Sequence, residues 1–301
     1  MPSILFRSGP STSLNHQEEK RLLAGYRFHV VQRGEGQPIL FVHGSVSDHR
    51  TWRAQIETFG SRYRAIAYSR RYHWPNEPIA AGADYEMSGH VDDLEAMIVS
   101  LGIAPVHLVG HSYGAFIALL LACRRPDLLC SLVLAEPPLV TLLVSNPPKP
   151  VEILRLLATK PRTAAALVSF AARGLGPATA AFRVGDMETG LRLFGAAVLG
   201  RKAFLSLSDM RRQEVRDNLI VAEFLGSGLG PVRPGEIRRI ECPTLLLTGA
   251  RSPALFHRLT DHLEELLPRA LRGEIAQASH IMHEDNAPAF NAAVLSFLAR
   301  L

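Results

Sequence analysis

Cysteine is scarce in this chain: three residues in 301, at Cys123, Cys130 and Cys242. Three thiols cannot close a disulfide framework, and none stands in a C-x-x-C spacing. A stapled secreted scaffold and a structural zinc site are therefore both unexpected. Long hydrophobic runs are missing too. Nowhere do 18 uncharged apolar residues follow one another, and residues 116–123 form a run of only eight, the length of a buried helix segment. The first thirteen residues contain one basic residue and no apolar stretch long enough for a signal peptide. Charge of one sign is only slightly in excess, with 33 Lys and Arg against 28 Asp and Glu, or +5. Hydrophobic residues make up 47% of the chain, enough for a sizeable core and too many for a disordered one. The expectation is a reduced, cytoplasmic, globular protein with no membrane partner.

The small surplus of positive charge is local. Residues 140–240 hold 15 Lys and Arg against 8 Asp and Glu, leaving 18 against 20 elsewhere. Those cations are spread through helical patterns instead of being run together, so no nucleic-acid partner is expected. An anionic substrate could be drawn towards this segment, and a solvated face explains the charge equally well.

The order of elements sets the fold class. Residues 26–32 alternate in polarity, Gly34-Glu35-Gly36 turns the chain, and residues 38–42 are continuously apolar. That pattern predicts a hairpin feeding a buried strand. Residues 63–68, 106–109, 132–135 and 244–248 read as further short buried strands. Residues 88–101 place Val91, Leu94, Met97, Ile98 and Leu101 at helical spacing behind Ser88 as a cap, and residues 294–301 lie in a closing helix. Strands alternating with helices imply an α/β protein with a mostly parallel sheet covered on both faces. Residues 140–240 break the rhythm. They open on Asn146-Pro147-Pro148-Lys149-Pro150, close on a Gly/Pro-rich stretch at 226–235, and offer helical patterns such as 151–157 and 204–225 between. The domain expectation is a core of residues 1–139 and 241–301 with a helical cap at 140–240.

Gly110-His111-Ser112-Tyr113-Gly114 fits G-x-S-x-G, directly after the strand at 106–109 and before an apolar helix. A serine on so sharp a turn needs neighbours without bulk, and the helix start aims free N–H groups at developing negative charge. Ser112 is the candidate nucleophile. Two further segments accompany it: Phe41-Val42-His43-Gly44-Ser45 at the end of an earlier strand, and Ala278-Ser279-His280 before the last helix.

Together these motifs resemble the α/β-hydrolase fold family, in its capped group with the epoxide hydrolases and dehalogenases. The likeness spans nearly the whole chain outside residues 140–240. It implies that the backbone N–H groups of Ser45 and Tyr113 form an oxyanion hole, with Val46 a lesser candidate donor, and that His280 is the catalytic histidine. His283 is the competitor to His280, whereas His111 is expected to pack beneath the turn. Epoxide hydrolases and haloalkane dehalogenases carry an aspartate at the elbow; Ser112 stands here instead, which disfavours both activities.

The acid departs from the family's usual pattern. After the strand at 244–248, Gly249-Ala250-Arg251-Ser252 puts serine where the family's aspartate is expected, and a hydroxyl cannot stabilise an imidazolium as a carboxylate does. Glu136, at the end of the strand beside that of Ser112, is the candidate replacement. Its placement resembles that in the zearalenone lactonases. Asp261 and Glu284 are the fallback acids, and a solvated Glu136 is the bland alternative.

The resemblance thus implies a serine hydrolase of esters or lactones with the triad Ser112, His280 and Glu136. Carbon–carbon bond hydrolysis, cofactor-free peroxidation and non-catalytic ligand binding remain alternatives on the same fold. No metal and no organic cofactor is implied. The expected partner is a small-molecule substrate with an apolar or aromatic part, and a homodimer stays open. Candidate substrate contacts are His43, Val46, Trp74 and Leu139. The cations Arg70 and Arg71 are expected to be tied to local carboxylates.

Overall fold

The computed structural model describes residues 16–23, 25–225 and 228–301. The N-terminal stretch read above for a signal peptide, and Gly226 and Ser227 of the Gly-rich stretch, lie outside the described residues. Eight strands form one sheet: β1 (His16–Leu23), β2 (Tyr26–Arg33), β3 (Pro38–Val42), β4 (Arg64–Tyr68), β5 (Val106–His111), β6 (Leu129–Ala135), β7 (Thr244–Gly249) and β8 (Ala270–Ile275). Their order across the sheet is β1-β2-β4-β3-β5-β6-β7-β8. The first two junctions are antiparallel and the other five parallel.

The apolar strands behave as their sequences dictate. Side chains of a strand point alternately to its two faces. Leu40, Val42 and Leu108 accordingly enter one apolar layer, beneath the helices Met87–Ser100 and Tyr113–Arg124. Ile39, Phe41 and Val109 enter the other, against the helices Arg53–Phe59 and Ala287–Leu298. Burial on both faces is why β3 is apolar throughout rather than alternating, and β5 is buried at every position even though it carries His107 and His111.

Three expectations are corrected here. The hairpin is β1 with β2, not β2 with β3; β2 pairs instead with β4. Two edge strands, β1 and β8, were not foreseen. Both carry charge along the edge, as in His16-Gln17-Glu18-Glu19-Lys20, a composition that suits an exposed edge and hides the strand from a hydrophobic reading. The helix read from residue 88 starts at Met87, with Glu86 in the cap position; Ser88 Oγ donates to the Glu86 carboxylate (3.1 Å).

Between β6 and β7 the chain passes through helices that include Pro150–Thr159, Pro161–Phe170, Gly176–Arg183 and Met187–Leu199. A π-helical turn at Ala171–Leu175 joins the second of these to the third. The pattern read over 204–225 is divided into Arg201–Leu205, Asp209–Asp217 and Val221–Leu225. Ser208 caps the middle piece by accepting from the Arg211 N–H (3.2 Å). Asn218, fully buried, stops it by turning its amide onto Asp48 (2.6 Å) and the Glu214 carbonyl (2.7 Å).

Candidate active site

Strands β3, β5, β6 and β7 are neighbours and run parallel, so their C-terminal ends share one edge of the sheet. Each end delivers one element of the site, which is the arrangement open α/β sheets use for ligands. At the end of β5, Ser112 adopts φ 51° and ψ −121°, a left-handed conformation that costs a non-glycine residue about 1–3 kcal/mol. The turn is held from both sides. The Ser112 N–H donates to the Ala135 carbonyl (2.8 Å), and its carbonyl accepts from the Phe116 N–H (3.0 Å). Glycine is required at Gly114, where a Cβ would sit 2.3 Å from the Val42 carbonyl oxygen. Gly44 also approaches the elbow, less closely: its Cβ position is 3.0 Å from the Ser112 Cβ. Ser45 therefore begins its loop directly over the elbow, while Tyr113 opens the helix whose free N–H groups face the same space.

Glu136 ends β6 with φ 49° and is fully buried. One carboxylate oxygen accepts from the Gly249 N–H (2.9 Å), and the other accepts from His280 Nδ1 (2.5 Å). The loop bearing His280 crosses so close to β7 that a Cβ on Gly249 would lie 2.1 Å from the Ser279 carbonyl. The Arg251 N–H donates to the Ala278 carbonyl (2.8 Å), and Asp285 accepts from the Ser279 N–H (2.7 Å), fixing that crossing. Phe256 stacks on the imidazole at 4.0 Å between centroids. His280 Nε2 is buried and has no hydrogen-bond partner among the described residues. Burial pushes the Glu136 carboxyl up, opposed by the nearby Ser252 hydroxyl and the Gly249 N–H. Burial likewise pushes the His280 imidazole down. With Nδ1–H committed to Glu136, the neutral ring presents a lone pair at Nε2.

The other acids and histidines fall elsewhere. Asp261 is half exposed and faces Arg258 and Arg272. Glu284 binds Thr51 and Arg211. Neither is bonded to His280. His283 accepts from or donates to Thr51 (2.8 Å) and stacks on Trp52. The His111 ring lies beneath the elbow and bonds the His280 carbonyl (2.9 Å). Ser252 is buried, and its hydroxyl closes no hydrogen bond of its own.

Two cavities meet at Ser112. The smaller, about 60 Å³, is bounded by Ser45, Val46, Ser112, His280 and Arg211 together with apolar side chains. The larger, about 360 Å³, has Ser45, Ser112 and Tyr113 at one end and Phe170, Leu255 and Glu223 among its walls. Of the four candidate substrate contacts, Val46 lines the smaller cavity. The other three line neither, a correction with a separate cause in each case. His43 is fully buried and spans the loop, bonding the Gly44 carbonyl and accepting from the Arg70 N–H (both 2.9 Å). Leu139 is sunk in the core. Trp74 is 41% exposed and packs flat against His49 beneath Arg50.

A buried cluster absent from the sequence reading supports the loop of His43, Gly44 and Ser45 from behind. The Arg70 guanidinium donates to the Gly44 carbonyl (3.0 Å), the Tyr85 hydroxyl (2.7 Å) and Glu223 (3.3 Å), and lies over the Tyr113 ring. Arg71 is paired with Asp93, as expected of it. No local motif announces Arg70, because Glu223 is 153 residues away.

Comparison with known proteins bears on the family and the fold. The profile of the Alpha/beta hydrolase family matches residues 39–293, and the chain belongs to that family. Mouse epoxide hydrolase 4 is 32% identical over 117 residues, covering 38% of this chain and 33% of that protein. The (E)-2-((N-methylformamido)methylene)succinate hydrolase of Acinetobacter baylyi is 34% identical over 100 residues, covering 33% and 37%. The matches thus span about a third of the length of these relatives. Among solved structures, an esterase from Thermogutta terrifontis superposes with a TM-score of 0.69 at 20% identity, covering 94% of this chain and 98% of that one. Carboxylesterase CesB from Bacillus subtilis gives 0.69 at 17% identity, covering 96% and 93%. At these identities the structural likeness speaks for the fold. The chain has the α/β-hydrolase fold, with epoxide-hydrolase and esterase neighbours.

Proposed function

We propose that this protein cleaves carboxylic esters or lactones bearing a sizeable apolar group, through an acyl-enzyme on Ser112. The observation that carries the reading is the His280 Nδ1–Glu136 bond of 2.5 Å, with His280 Nε2 unpartnered on the cavity that Ser112 also lines. In the reaction His280 Nε2 takes the Ser112 proton as Oγ attacks the carbonyl carbon. The carbonyl oxygen becomes an oxyanion held by the N–H groups of Ser45 and Tyr113. Collapse expels the alkoxide, which leaves with the proton from His280. Water, deprotonated by the same imidazole, then releases the acid and restores Ser112. Glu136 holds the ring in one tautomer and balances the imidazolium formed in each half-reaction. The elbow serine supports ester chemistry over epoxide opening, although epoxide hydrolases are among the relatives. Treatment with an organophosphonate should add one adduct mass at Ser112 and abolish p-nitrophenyl ester turnover. An unlabelled, inactive protein would sink the hydrolase reading and leave a ligand-binding member of the fold.

A further inference from the structure

The cap helices show a surface that the hydrolytic site does not use. Between Glu152 and Asp186 no acidic residue occurs, while Arg155, Lys160, Arg162, Arg173 and Arg183 all do. Lys160 is tied to Glu265. The four arginines are exposed, and none is paired with a carboxylate among the described residues. On the helix Pro150–Thr159 the exposed positions carry Val151 (67%), Leu154 (66%) and Leu157, apolar side chains turned away from the core. On the continuous helical segment Pro161–Arg183, Val168 and Leu175 are exposed as well. These last two also line the larger cavity that reaches Ser112, so the apolar surface runs into the mouth of the pocket.

We infer that this face of the cap docks on an anionic lipid surface, from which an apolar ester enters the larger cavity. The docking half stands on the surface alone; the entry half rests on the hydrolase reading above. Apolar side chains flanked by unpaired arginines, with no acidic residue between Glu152 and Asp186, have the composition of interfacial helices. Burial of the apolar side chains and attraction to anionic headgroups add. A second copy of the chain is the poorer occupant, because two such faces would bring like charges together. The sequence led to no membrane partner because hydropathy along the chain does not register which apolar residues are left outside.

The test is sedimentation of the full chain with vesicles of phosphatidylcholine alone or mixed with phosphatidylglycerol. Binding is expected to the mixed vesicles, weakening as salt rises. Val151→Asp with Leu154→Asp should lower partitioning about tenfold or more, and so should Arg155→Glu with Arg162→Glu. Turnover of a soluble p-nitrophenyl ester should be unchanged in both variants, which also reports that they fold. Failure to bind either vesicle, or equal binding by the wild type and both variants, overturns the proposal. So does a dimer in sedimentation velocity that the same substitutions dissolve. Vesicle binding without organophosphonate labelling would instead remove the hydrolase reading and leave the docking surface standing.

Discussion

All twelve histidines lie outside residues 140–240, and that segment holds 15 of the chain's 33 lysines and arginines. The two regions are therefore built on different electrostatics. In the core, histidines such as His43, His73, His90, His111 and His283 are sealed in and held neutral, their pKa values pushed well below the ordinary value by burial. In the cap most of the cations are arginines, which stay charged at any working pH. The buried histidines belong to the region that holds its geometry through close backbone approaches, and most walls of both cavities belong to the region packed by apolar side chains.

Removing the proton-transfer groups is the strongest test of that division. Ser112→Ala or His280→Ala should lower kcat for an activated ester by about 10⁴–10⁶-fold while leaving the unfolding midpoint near that of the wild type. Glu136→Gln should cost about 10²–10⁴-fold in kcat. A fully active Glu136→Gln beside an inactive Asp261→Asn or Glu284→Gln would reassign the acid. The buried ion pair Arg70–Glu223, which crosses from core to cap, predicts a different signature. Arg70→Met leaves Glu223 buried without its cation and should destabilise the fold by about 3–5 kcal/mol in denaturant titration. A cap substitution should move selectivity alone. Phe194 lines both cavities, so Phe194→Ala should shift kcat/KM between short and long acyl chains by about tenfold, read on a p-nitrophenyl ester series.

The pH dependence of stability is the most diagnostic of the core. A neutral buried histidine binds its proton only after unfolding, so below the unfolded value near 6.5 the unfolded chain holds more protons than the folded one. Stability should be flat above that pH and fall as pH drops through it. The slope is up to about 1.4 kcal/mol per pH unit for each such group. For His49, whose pKa burial lowers to about 4, the loss levels off below that value. Thermal melts from pH 8 to 4 would show it, and a midpoint independent of pH would contradict the buried, neutral state of these rings.

What could be read from sequence follows the range of each interaction. The elbow around Ser112 and the His280 segment are local, each a few residues long and framed by a strand or helix. The parallel strands announce themselves because both of their faces are buried. Glu136 was legible only by combining its strand-end position with the missing carboxylate at Ser252. Cavity walls were legible only in part, as at Val46. His43, Leu139 and Trp74 stand near the motifs in sequence, but their side chains enter the loop, the core and the surface respectively. Arg70 escaped for the opposite reason, since its partners Tyr85 and Glu223 come from distant segments. The polar edge strands β1 and β8 lack the apolar pattern on which strand recognition depends.

The crossing of the His280 loop over Gly249 has a consequence for how the family can change. On the proposed triad the carboxylate comes from β6, and after β7 the Ser252 hydroxyl only helps to hold the Glu136 carboxyl down. A Ser252→Asp, Glu136→Gln double variant would move the acid to the neighbouring strand while the imidazole stays where it is. Two sockets for one function make the triad's third member portable, an evolutionary degree of freedom that neither Ser112 nor His280 possesses.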